Sequence, residues 1–388
     1  MKKLMMTLCA VGLMFAGCNK QSGEDNPLLQ EWDTPFQTAP FEKIKVEHYL
    51  PAFEAAIAEH DKEIQAIIDN AEAPTFDNTI AALDYSGETL SKVAGVFFNM
   101  MAANTSEELQ KVNEKVGPMM ATHSDNVSMN AKLFEKIKAV YDAKDSQKYT
   151  EEQLALLEKT YNKFVRSGAL LDAAKQEELR KVNAELTKVE AKFDANLLKE
   201  TKAYQLVVEK EEDLKGLPQG EIEKAAALAK SEGKEGKWIF TLDNPSFMPF
   251  VTYAENRDLR KEIFNARVNR CNNGGETDNN ALVAQMAELR AQKAQILGYE
   301  TFAHYQLEER MAKEPKAVFD LLENLLSYSV KVAKEEAAQF QTMLSKDVPG
   351  AKLEAWDMYY YAEKVRQQKY NFDAELTRPY FEINKVRQ

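Results

Sequence analysis

Leu179, Val182, Leu186, Val189, Phe193 and Leu197 recur at intervals of three and four residues, which lines one side of a long helix with apolar side chains. Such a stripe has to be covered, so a chain that repeats it is committed to packing helix on helix. Leu154, Leu157, Tyr161 and Phe164 form a second stripe. Val318, Leu321, Leu325 and Tyr328 form a third, with Glu314-Pro315 marking its start. Pro74 and the cap-competent Asp77 and Asn78, ahead of Ile80-Ala81-Ala82-Leu83, predict a further helix start over 75–79. Only Tyr204 to Val208 and Trp238 to Leu242 read as strands, being short β-branched or aromatic runs flanked by Gly and Pro. No long self-similar period stands out, so a solenoid is not expected. The expected fold class is all-α, mostly helical, with at most a small β-hairpin.

A chain of 388 residues can bury a large core, and its length points to about two domains. Its 62 Asp and Glu outnumber 50 Lys and Arg, and the two signs are interspersed. Neutralising phosphates needs a basic face, so no nucleic-acid partner is expected.

Lys2-Lys3 precede an apolar run from Leu4 to Phe15 that is too short to span a bilayer permanently. The run ends Phe15-Ala16-Gly17-Cys18. Small residues before a cysteine resemble the bacterial lipobox, which implies cleavage before Cys18 and lipidation of its thiol and new amino terminus, although Phe15 stands where Leu is usual. The other reading is an ordinary secretory signal with an incidental cysteine. Several acyl chains hold a protein stably where one is marginal. The expectation is therefore a lipid-anchored protein of the bacterial cell envelope, facing the periplasm, with residues 1–17 as lipoprotein signal and 18–35 as a polar, flexible tether. With Cys18 acylated, Cys271 has no disulfide partner in the mature chain. It precedes Asn272-Asn273-Gly274-Gly275 and reads as an inert loop thiol.

The most specific run is Glu288-Leu289-Arg290-Ala291-Gln292-Lys293-Ala294-Gln295-Ile296-Leu297-Gly298-Tyr299, followed by Phe302-Ala303-His304-Tyr305-Gln306-Leu307 and Arg310-Met311-Ala312. It resembles the thimet-oligopeptidase, oligopeptidase A and peptidyl-dipeptidase family of zinc metallopeptidases. Further similar stretches keep the family's order: Pro74 to Ile80 with Ser86-Gly87, Phe164 to Ala169, Gly216-Leu217-Pro218, Asn244 to Pro249, Asn256 to Arg260, Trp356-Asp357 through Tyr361, and Pro379-Tyr380-Phe381. The resemblance implies a neurolysin-like fold, short peptides as substrates and a zinc cofactor. In such enzymes a metal-bound water, activated by a glutamate, attacks the scissile carbonyl while a helical lobe restricts access.

The family's zinc motif, His-Glu-x-x-His, is not in these residues, whose histidines are His48, His60, His123 and His304. Residues 36–388 are therefore expected to be the helical amino-terminal lobe of such a peptidase, from a truncated frame or incomplete gene, with no catalytic or metal residues and no zinc of its own. The alternative is a non-catalytic helical lipoprotein that binds peptides or a partner protein.

Other constellations have ordinary structural roles beside any chemical one. His48 and His60 are separated by Pro51, which is expected to break their helical register. His304 and Glu308 share a helix face without an identifiable third ligand. Arg290 with Lys293, and Arg257 with Arg260 and Lys261, can orient a peptide carboxylate, but their spacing to Glu288, Glu255 and Glu262 fits helix-surface pairing better. The aromatic group Trp356, Tyr359, Tyr360, Tyr361, Tyr370, Phe372, Tyr380 and Phe381 reads as cleft lining, as core, or as a patch around Trp356 to Phe381 left exposed for want of a packing partner.

Overall fold

A computed structural model describes residues 26–372 and 374–387. The signal sequence and Cys18 lie outside the described residues. Helix dominates, as expected, with one two-stranded sheet. The chain divides into two compact units, one up to Leu170 and one from Leu171 onward.

The first unit comprises α1 (Val46–Asp69), a π-helical turn (Phe76–Ala81), α2 (Ala82–Tyr85), α3 (Glu88–Ala103), α4 (Glu107–Ser128), α5 (Ala131–Asp142) and α6 (Glu151–Arg166). Tyr49, Ala52, Phe53 and Ala56 bury one face of α1, and the rings of Tyr49 and Phe53 meet Phe97 of α3 edge-on at 5.0 and 5.4 Å. Pro51 lies inside α1 rather than ending it. It costs the one hydrogen bond its N–H would have given, but Tyr49, Ala52, Phe53 and Ala56 bury the helix face around it, and the expected break between His48 and His60 does not occur. The start itself is closed by His48, whose Nδ1 accepts the Lys45 N–H at 3.0 Å.

The helix start over 75–79 is present. Thr75 is the capping residue, in a reciprocal pair with Asn78: Thr75 Oγ1 accepts the Asn78 N–H at 3.1 Å, and Asn78 Oδ1 accepts the Thr75 N–H at 2.8 Å. A second core of Ile64, Ile67, Ile80, Leu133, Phe134, Ile137, Val140, Leu157 and Phe164 joins α1, the π-turn, α5 and α6.

Residues 26–35, expected as part of the tether, are folded. Leu28 is fully buried in the core of Tyr49, Phe53 and Phe97, the Asn26 amide donates to His48 O at 2.8 Å, and Trp32 Nε1 donates to Pro27 O at 2.8 Å. Apolar residues at 28, 29 and 32 within a polar stretch were sufficient to dock it.

The second unit comprises α7 (Ala173–Ala203), β1 (Leu206–Val208), α8 (Gln219–Ser231), β2 (Trp238–Phe240), α9 (Asn244–Tyr253), α10 (Arg257–Val268), α11 (Asn280–Ile296), α12 (Phe302–Leu307), α13 (Pro315–Asp347), α14 (Met358–Tyr370) and α15 (Ile383–Val386). On α7, Leu179, Val182, Leu186 and Val189 are buried, and the last three pack with Leu289 of α11. The strands pair antiparallel, Leu206 opposite Phe240 and Val208 opposite Trp238, where two were anticipated. Gly216 lies at φ +87, and a Cβ there would stand 2.2 Å from Tyr253 O, so the turn before Leu217-Pro218 accepts only glycine.

The third stripe lies on a helix but is not covered. On α13, Leu321, Leu325 and Tyr328 are 60%, 52% and 73% exposed, as are Phe319, Leu322, Leu326 and Val332. Only the far end packs, where Phe340 and Leu344 meet Tyr360 and Tyr361 of α14. The aromatic group therefore divides: Tyr360 and Tyr361 are core, whereas Tyr359, Tyr370, Phe372, Tyr380 and Phe381 are exposed. Among the described residues no helix is long and apolar enough to cross a membrane.

Candidate functional site

The second unit places a three-residue charge network at the start of α10. Asn256 caps that helix, its Oδ1 accepting from the N–H groups of Asp258 and Leu259, which puts Arg257 and Arg260 on adjoining turns of one face. Both reach Asp357, in the turn before α14. Arg257 donates through Nε at 3.0 Å and Nη2 at 2.7 Å, and Arg260 through Nη2 at 3.3 Å. Arg260 also donates to the α9 terminal carbonyls of Ala254 and Glu255, at 2.7 and 3.1 Å, and stacks on Tyr360 at 4.0 Å.

Asp357 is 0% and Arg260 1% exposed. Burial alone would raise the Asp357 pKa, but the Arg257 hydrogen bonds and the Glu354 N–H outweigh it and hold the carboxyl below the usual carboxylate range. The expected local pairing with Glu255 and Glu262 is thus replaced by a buried partner far along the chain. Lys261 lies over the Trp356 ring, at 5.2 Å. Sequence reasoning missed Asp357 because its partners lie 100 and 97 residues away.

Arg290 likewise pairs across helices, donating to Glu190 of α7 at 2.8 Å rather than to Glu288. The pair borders a groove of about 480 Å³ floored by Phe193, Val283, Met286 and Ala287. Lys293 lies over the Tyr305 ring at 5.8 Å.

In the first unit His60 of α1 meets His123 of α4, with His60 Nδ1 2.8 Å from His123 Nε2. Ser86 Oγ lies 3.1 Å from His60 Nε2, and Asp61 Oδ1 lies 3.2 Å from His123 Nδ1. No sequence signal joined two histidines 63 residues apart.

As zinc ligands the histidines do not fit. His60 and His123 face each other, His48 holds the start of α1, and His304 Nδ1 lies 2.8 Å from Thr301 Oγ1. Glu308, weighed beside His304, accepts from Tyr299 OH at 2.6 Å. Among the described residues no three His, Cys, Asp or Glu side chains group so as to hold a metal ion. Cys271 is buried beside Glu200, and burial first, then that carboxylate, pushes its thiol up to about 11, which suits an inert thiol.

The family profile for the neurolysin/thimet oligopeptidase N-terminal domain matches residues 53–176, and that for peptidase family M3 matches residues 250–388. The chain is 33% identical over 361 residues to a dipeptidyl carboxypeptidase of Escherichia coli (strain K12), covering 93% of this chain and 53% of the relative. It is 30% identical to a probable cytosolic oligopeptidase A of Arabidopsis thaliana, with 93% and 52% covered. For an oligopeptidase A of Salmonella typhimurium the identity is 28%, with 93% and 53% covered. The chain spans about half the length of the curated relatives it matches.

Proposed function

Because the chain belongs to the family of thimet oligopeptidase, oligopeptidase A and peptidyl-dipeptidase, we propose that it is the amino-terminal portion of an exported zinc-dependent oligopeptidase, a peptidyl-dipeptidase that hydrolyses short peptides. The observation that carries this is the 33% identity to a dipeptidyl carboxypeptidase sustained over 93% of the chain. In this reading the described residues supply scaffold and channel wall, and further sequence supplies the zinc ligands. The uncovered face of α13, from Phe319 to Val332, supports it, since an apolar surface of that extent is suited to pack against another part of the same protein. The same face supports the second reading, a non-catalytic helical lipoprotein that docks a peptide or partner.

The coding sequence separates the two. An open frame beyond codon 388 that encodes His-Glu-x-x-His is the expected result, and an authentic stop there favours the non-catalytic reading.

The export and anchoring proposal rests on Ala16-Gly17-Cys18. Replacing Cys18 with Ala should abolish lipidation and release the protein to the soluble periplasmic fraction. A variant that fractionates with membranes as the parent does would remove the lipobox from the account.

A further inference from the structure

The hydrogen bonds around His60 and His123 leave little freedom in where the protons sit. Ser86 Oγ is 2.7 Å from Leu83 O, a carbonyl that can only accept, so the single Ser86 hydroxyl hydrogen is directed there. Ser86 Oγ must then accept from His60, which places a hydrogen on His60 Nε2. For a neutral His60, Nδ1 is consequently an acceptor, and the hydrogen in the 2.8 Å contact belongs to His123 Nε2. The hydrogen bonds from Leu83 to His123 are therefore satisfied with one hydrogen on each ring, at His60 Nε2 and His123 Nε2. The other nitrogen of His123, Nδ1, lies 3.2 Å from the Asp61 carboxylate, which pairs with it when it carries a proton.

We propose that His60, His123 and Asp61 form a proton-gated latch between α1 and α4, closed while the two imidazoles carry at most one positive charge and opened by the gain of a second. With both rings cationic, His60 Nδ1–H and His123 Nε2–H point at each other, the hydrogen bond is replaced by repulsion, and the contact between the two helices loosens. An exported protein meets the pH of its surroundings, so the latch makes the first unit responsive to acid. Its role in the environment rests on the proposed export; its chemistry does not.

The surroundings fit this assignment. The groups facing His60 are His123 from α4, Asp61 and Glu63 from α1, and Lys163 from α6, while Ser86 and Gly87 close the side towards α3. Glu63 is fixed in place, accepting the Gly87 N–H at 2.7 Å. Burial first, then His123, lowers the His60 pKa, with Lys163 adding to it and Glu63 and Asp61 opposing. A histidine whose pKa is depressed in the folded state favours folding above its unfolded value of about 6.5, and that contribution is lost as pH falls below it towards the folded value. His123 is 6% exposed, so water does little to screen the repulsion when both rings are charged.

The test uses the 388-residue chain with nitrogen-15-labelled histidine. At pH 7 His60 is expected to show the neutral tautomer with hydrogen on Nε2, and His123 to carry the hydrogen of the contact between the rings on its Nε2. A neutral His60 with hydrogen on Nδ1 overturns the assignment. Amide exchange, corrected for its intrinsic pH dependence, should accelerate in residues 57–64 and 116–127 between pH 7 and pH 5, the direction that the lowered His60 pKa requires. In His60→Gln the amide oxygen can accept from His123 and the amide nitrogen can donate to Ser86, without a second titration. That variant should keep the protection at pH 5. Equal acid loosening in parent and variant overturns the latch, as does no loosening in the parent. Should the variant fail to fold, the parent's ring spectra and exchange still decide.

Discussion

Replacing Asp357 with Ala should destabilise the unit from Leu171 onward by about 3–5 kcal/mol, a far larger effect than any exposed ion pair in the chain should give. The carboxylate is fully buried, accepts from both Arg257 and Arg260, and takes the Glu354 N–H that shapes the turn into α14. Without it the Arg260 guanidinium, still buried and still holding the end of α9, has no counter-charge. Desolvation of an unpaired cation then opposes folding, and the lost turn contact adds to it. Asp357→Asn keeps the shape and one acceptor, so it should cost less. The comparison is Glu190→Ala, which breaks the half-exposed pair with Arg290 and should cost at most about 1 kcal/mol. Urea unfolding followed by tryptophan fluorescence reads both. Similar losses at Asp357 and Glu190 would mean that the buried network is no more important than a surface pair.

Substituting Leu321, Leu322, Leu325 and Leu326 together with Gln should leave helicity unchanged and weaken self-association of the chain about 100-fold or more. All four are more than half exposed on α13. Covering a leucine contributes about 1.5–3 kcal/mol, and even partial covering of four exceeds the roughly 2.7 kcal/mol that a 100-fold change requires. Gln is a good helix former and adds no charge, so solubility through repulsion is not at issue. Sedimentation over a concentration series and binding of an apolar dye measure the result, and both signals should fall. If the quadruple variant instead loses helical signal, these leucines hold the helix itself and the uncovered face is not a docking surface.

The stripes were legible because helical period and burial coincide wherever two helices pack. Leu179, Val182, Leu186 and Val189 were read as one buried face, and they are one. Val318, Leu321, Leu325 and Tyr328 show why period alone is insufficient. The pattern specifies that a face is apolar, whereas coverage depends on what lies opposite, and among the described residues Leu321, Leu325 and Tyr328 are exposed. The two strands and the helix start over 75–79 were legible for local reasons of the same kind.

The polar constellations were not. Arg257 and Arg260 had acidic neighbours at helix spacing, and local pairing is the natural inference, yet a buried carboxylate distant in sequence prevailed because an unpaired buried arginine costs more than a surface pair returns. His60 and His123 carry no motif, and their meeting is a product of how α1 and α4 pack. Pro51 does not break α1, because the one hydrogen bond it removes is outweighed by the burial of Tyr49, Ala52, Phe53 and Ala56 around it. Leu28 was underweighted, one apolar residue in a polar segment being enough to dock it when a core is open to receive it.

In the proposed function these residues are the scaffold of an oligopeptidase whose zinc chemistry resides in other sequence. Elemental analysis of the purified 388-residue chain, combined with an assay on a blocked tetrapeptide, tests it most directly. The prediction is well under one zinc per chain after dialysis and no hydrolysis when zinc is added, because a catalytic site needs three protein ligands and a general base. One tightly held zinc per chain, with chelator-sensitive cleavage of the tetrapeptide, would contradict it.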